Sequence, residues 1–157
     1  MEEELKLKHL GCFAHTLNLI ACDATNNITG LLNKIKSIVA FFKRSSSALA
    51  RFNEQQKQLS NKEPKKLVQS VATRWNSTYY MIERFSELEE PLRTTMALVT
   101  TKELLIVSIE EWDFLKEMIK VLKPLETVTT YISGQNYVTA SSLIIITDGL
   151  FRDVQKF

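Results

Sequence analysis

The sequence predicts a mainly α-helical domain carrying one short N-terminal strand. Three observations predict it. Apolar residues recur at helical spacing through most of the chain. Only four Gly and three Pro are available for tight turns, and polar-apolar alternation is confined to one stretch. With 157 residues, 45% of them hydrophobic and 24% charged, the chain has a globular composition and fits one domain with a sizeable core. No apolar run approaches the roughly 18 residues that a membrane span needs, and the acidic start at Met1–Glu4 is unlike a signal peptide. Two cysteines, Cys12 and Cys22, are too few for a disulfide framework, so a reducing compartment is expected.

LKLKHLGC, Leu5 to Cys12, alternates up to Leu10 and reads as a strand ending at Gly11. A lone strand lacks hydrogen-bond partners, so it pairs with another copy or belongs to a larger sheet. In the following segment Phe13, Leu17, Ile20, Ala21 and Ala24 form a helical stripe. The clearest amphipathic pattern is Ile28, Leu31, Leu32, Ile35, Ile38, Val39 and Phe42, with lysines between. RSSS at Arg44–Ser47 breaks or bends that helix and supplies a serine cap for a second one running through Phe52 to Leu59. Ser60–Lys66, with Pro64, is a loop. A helix beginning near Trp75 turns Tyr79, Ile82, Phe85 and Leu88 inward, and Pro91 should bend it. SIEE, Ser108 to Glu111, matches the S-x-x-E capping box and opens a helix with Trp112, Leu115, Ile119 and Leu122 inward. Pro124 within that pattern predicts a kink. Ser133–Thr139 is a loop, and Thr139 caps a last helix through Leu143, Ile144, Thr147, Leu150, Phe151 and Val154.

Charge is unevenly spread. Residues 34–74 hold ten bases against two acids, a net +8, whereas residues 75–126 hold six bases against ten acids, a net −4. A basic third of this kind suits a polyanion, and a solvated basic helix explains it equally well. Cys12 and His15, three residues apart, raise three readings. Zinc needs four ligands, or three and a water; Cys22 lies about 10 Å along the helix from His15, and no second Cys/His pair follows. A Cys–His nucleophile pair lacks an orienting acid and a Gly-rich oxyanion setting. A buried Cys12 beside a hydrogen-bonded His15 at a helix start is the plain alternative. Arg74 and Trp75, at a helix N-terminus after a basic loop, offer a guanidinium for phosphate and an indole for stacking a base. The plain alternative there is a core tryptophan beside a surface arginine.

HLGCFAHTLNLIACDA, VATRWNSTYYMIERF and EEWDFLKEMIKVLKPLETVTTYISGQNYVTASSLIII occur in the order seen in hAT-superfamily transposases and their domesticated relatives, the zinc-finger BED domain-containing proteins. The chain resembles that family over nearly its whole length. The resemblance implies an RNase H-like catalytic domain interrupted by a helical insertion. Residues 1–25 would be the tail end of the first half of the catalytic domain, and residues 26–157 the start of the insertion, a multi-helix bundle with one strand left from the sheet. Cys12 and His15 match the family's C-x-x-H motif, which lies beside the active site and forms no zinc finger. Arg74 and Trp75 match its Arg-Trp pair, whose tryptophan would stack on a flipped base.

Three carboxylates holding two metal ions carry the family's catalysis. The resemblance places two of them upstream of HLGCFAH and one downstream of SSLIIITDGL; Asp23, Asp148 and Asp153 match none of these positions. The expectation is therefore a non-catalytic fragment or truncated relative, with no cofactor of its own and magnesium needed only by an intact enzyme. DNA is the expected partner. Arg74 and Trp75 would contact it, His15 would approach a scissile phosphate in an intact enzyme, and Lys34, Lys43, Arg44, Lys65 and Lys66 would add non-specific attraction. A helical self-association module, driven by apolar surface near Leu5, Leu7, Leu10 and Phe13, is the alternative. Neither reading calls for a membrane or a small-molecule substrate, and the resemblance implies nuclear residence.

Overall fold

The fold is described from a computed structural model, for residues 13–60, 63–71, 74–99, 106–134, 145–150 and 152. The described residues are mainly helical, and the expected strand at Leu5–Cys12 lies outside them. Six helices follow in order: α1 (Phe13–Asn26), α2 (Thr29–Arg44), α3 (Ser46–Ser60), α4 (Trp75–Glu87), α5 (Glu89–Leu98) and α6 (Ile109–Gly134). Residues 145–150 are helical as well, while Thr139, Leu143, Ile144, Phe151 and Val154 fall outside the described residues.

Helix α2 forms because its apolar residues fall on one stripe. Leu32, Ile35, Ile38, Val39 and Phe42 are all buried, and Lys43 and Arg44 sit at the negative end of its dipole. Ser45 alone separates α2 from α3. Its backbone N–H donates to the Phe41 carbonyl at 2.9 Å, closing α2, and its Oγ accepts from the Ala48 N–H at 3.3 Å, opening α3. The break expected at RSSS is thus a one-residue corner.

The expected bend at Pro91 is a change of helix. Leu88, at φ −102° and ψ 22°, ends α4 and starts α5. Pro91 then occupies the first turn of α5, where its missing N–H breaks no intrahelical bond. By contrast, α6 runs unbroken past Pro124.

Two apolar clusters hold these helices together. The larger gathers the α2 stripe, Ala48 and Phe52 of α3, Met81, Ile82 and Phe85 of α4, Leu92 of α5, and Trp112 and Leu115 of α6. Within it the Phe85 and Trp112 rings stack at 4.8 Å and 11°. The smaller joins Ala21 of α1, Trp75 and Tyr79 of α4, and Leu122 of α6. Helices α4 and α6 pass through both, and α1 packs on them. Ile20, expected on the α1 stripe, is instead 52% exposed, because α4 and α6 cover only the side bearing Leu17 and Ala21.

The capping box at the start of α6 forms as expected. The Ser108 N–H donates to Glu111 Oε2 at 2.8 Å, and the Glu111 N–H donates to Ser108 Oγ at 3.2 Å. The same carboxylate takes a 2.6 Å hydrogen bond from Lys34 Nζ, which also donates to the Ile106 carbonyl at 3.0 Å. One glutamate therefore caps α6 and pins it to α2. The Lys34 ammonium, with the Ser108 N–H, holds the Glu111 carboxyl below its ordinary range.

Candidate nucleic-acid interface

The segment before α4 is laced by one hydroxyl. Ser77 Oγ accepts from the Val71 N–H at 2.7 Å and lies 2.9 Å from the Val71 carbonyl and 2.6 Å from that of Arg74. Those contacts fix Arg74 in an extended conformation as the α4 N-cap, without a side-chain cap of its own. The positive end of the helix dipole and the exposed Arg74 guanidinium thus lie together.

They border a cavity of about 550 Å³. Asn18 of α1, Arg74, Trp75, Asn76 and Tyr80 at the start of α4, and Thr129 and Ser133 of α6 line it. Its far wall is braced by a buried carboxylate. Glu126 Oε1 accepts from the Tyr80 hydroxyl at 2.6 Å and from Thr130 Oγ1 at 2.8 Å, while Lys123 Nζ approaches Oε2 at 3.4 Å. Burial pulls the Glu126 carboxyl up, but these three donors outweigh burial and leave it below its ordinary value. On the neighbouring ring, burial and a 2.6 Å hydrogen bond to Glu83 raise the Tyr79 phenol above its usual value.

A group whose pKa is lowered by folding contributes stability above its unfolded value of about 4.5 and loses it as pH falls through the folded one. Glu87, beside Lys65, and Glu111, beside Lys34, are lowered too. The urea midpoint should therefore fall between pH 7 and about pH 3.5. Glu126→Gln should lose less stability over that interval than the native chain; an equal loss would show that this carboxylate carries none of the acid sensitivity.

The residues expected to touch DNA separate into groups. Arg74, Lys43, Arg44 and Lys66 are exposed and make no ion pair with another described residue. Lys34 is placed differently: its side chain is only 22% exposed and pairs with Glu111. Lys65 is half exposed and paired with Glu87. His15 is exposed on α1 and is not among the residues lining the cavity, and Cys12 is outside the described residues. Among the described residues no three His, Cys, Asp or Glu side chains gather as a metal site.

Trp75 is buried. The ring is 4% exposed and packs against Ala21, Tyr79 and Leu122, and its Nε1 has no hydrogen-bond partner. Packing leaves only a small part of the residue exposed at the cavity lining. The indole anchors the core and so positions Arg74.

Sequence reasoning missed Ser77, which organises the approach to α4, and the walls contributed by Asn18, Tyr80 and Ser133. Arg51 and Lys57 on α3, counted in the sequence only as part of the basic stretch, are both exposed and without an ion pair to a described residue. Every described base of α4–α6, in contrast, has an acidic partner: Arg84 with Glu87, Arg93 and Lys116 with Glu89, Lys120 with Glu117, and Lys123 with Glu126. The surplus positive charge therefore lies on α2, α3 and the segment leading into α4.

Residues 10–121 match the family model of the ZBED1 RNase-like helical domain. The chain belongs to this family. Its relatives include hAT-type transposases and zinc-finger BED proteins. "Putative AC transposase" of Zea mays is 31% identical over 85% of this chain and 17% of its own length. "Zinc finger BED domain-containing protein 4" of Homo sapiens is 27% identical over 92% of this chain and 12% of its own length. "Putative transcriptional regulator tpeD" of Talaromyces stipitatus is 31% identical over 83% of the chain and 15% of its own length. This RNase-like helical domain thus spans less than a fifth of each of those relatives. No solved structure matches it. Among the described residues no helix is long and apolar enough to cross a membrane.

Proposed function

We propose that this transposase-derived helical domain is a DNA-gripping element, acting in the nucleus, that contacts the phosphate backbone and does not cut it. Arg74 at the open N-terminus of α4 makes the central contact, and Lys43, Arg44 and Lys66 add non-specific attraction. One observation carries the reading: Lys43, Arg44, Arg51, Lys57, Lys66 and Arg74 lack acidic partners among the described residues, while Lys34 and Lys65 and the cations of α4–α6 are neutralised by nearby acids. Trp75 serves this site from beneath, holding α4 against α1 and α6. In the transposases of the family the carboxylates that cut DNA would belong to other segments, with residues 1–25 leading in from the catalytic sheet.

Arg74→Ala should weaken binding to a DNA hairpin several-fold, lower the salt slope by about one unit and leave the melting temperature unchanged. Equal affinity of the variant and native chains would remove Arg74 from the interface. The second reading, a self-association module, draws on Leu19 and Ile20, both more than half exposed on α1. Sizing decides between the two: a concentration-dependent dimer with no affinity for the hairpin favours self-association.

A further inference from the structure

We infer that α3 is the element this domain lays into the major groove of duplex DNA, with Arg51 and Gln58 facing the base edges. The inference rests on the DNA-binding reading above and adds which helix enters and what it reads. Helix α3 buries only Ala48, Phe52 and Gln56, one i, i+4, i+8 line that packs on α2 and α5. The opposite face, built around Ser47, Arg51, Glu54 and Gln58 at i, i+4, i+7 and i+11, is exposed throughout. A helix bared to this extent is about 10–12 Å across, the width the major groove of B-DNA admits.

The chemistry of that face fits base edges. Arginine pairs with guanine O6 and N7, glutamine with adenine N6 and N7, glutamate with the cytosine amino group, and small side chains sit against thymine methyls. Cations stand at both ends of the helix to hold phosphates: Lys43 and Arg44 just before the Ser45 corner, and Lys57 in the last turn. Glu54 is the one acid on α3, and neither Arg51 nor Lys57 pairs with it. Arg51 and Lys57 are left unpaired, whereas the bases of α6 each pair with a nearby acid. The Ser45 corner fixes how α3 projects, as the short turn does when a recognition helix is presented to a groove.

The test uses the 157-residue chain and a guanine-containing duplex, untreated or methylated at guanine N7, which blocks the major-groove edge alone. The native chain should bind the methylated duplex on the order of fivefold more weakly or worse. Arg51→Ala, at an unchanged melting temperature, should erase that difference, and Arg74→Ala should lower both affinities alike. Equal binding of the two duplexes by the native chain, or full discrimination by Arg51→Ala, overturns the placement of α3 and leaves the DNA-binding reading standing. Absence of any duplex or hairpin binding overturns both.

Discussion

Trp75→Ala should lower the unfolding free energy by about 3–5 kcal/mol, the usual loss when a large buried aromatic is truncated. The indole sits where α1, α4 and α6 meet, against Ala21, Tyr79 and Leu122, so the cavity left behind opens along three helices at once. Trp75→Phe should cost far less, because the indole Nε1 makes no hydrogen bond that phenylalanine would forfeit. Urea denaturation measures both changes. An alanine variant within about 1 kcal/mol of the native chain would contradict the core role and return the ring to the surface as a stacking platform.

The second large effect lies in the other cluster. Trp112→Ala or Phe85→Ala should each cost about 3–5 kcal/mol, since both side chains are fully buried and stacked face to face. The double variant should lose less than the two single losses added together. The shortfall should be about 0.5–1.5 kcal/mol, the coupling expected of a stacked aromatic pair. Strict additivity would mean that the rings fill space independently. This stack joins α4 to the start of α6.

Local structure was legible in the sequence because its causes are local. The α2 stripe, the Ser45 cap and the Ser108–Glu111 capping box each act within a few residues, and each forms as the spacing predicts. Pro91 was legible as an interruption; whether it bends one helix or opens another depends on Leu88, which sits in the apolar cluster. What could not be read depends on partners distant in the chain. Lys34 looks like a surface cation until Glu111, 77 residues away, comes to meet it. Gln56 looks like one more polar residue of α3, yet it is buried and holds both backbone groups of Lys65 in the following loop, at 2.8 and 3.1 Å.

The candidate site shows the same division. Composition located the basic third of the chain, but which of its cations remain unpaired is a tertiary property. Trp75 stands at a helix start beside an arginine, a position that suits stacking on a base and burial in a core equally well. Only the packing of α1 across α4 decides it. Arg51 and Lys57 match no motif and count in the sequence only toward the basic stretch; they stand out once α3 is seen to bury a single narrow line.

Titration of the native 157-residue chain with a labelled DNA hairpin across salt concentrations tests the central claim most directly. If unpaired cations on α2, α3 and the approach to α4 hold phosphates, log K should fall linearly with log salt at a slope of about −3 or steeper. The slope should flatten by about one unit when Arg74 is removed. Affinity that stays flat between about 50 and 200 mM salt would contradict the account.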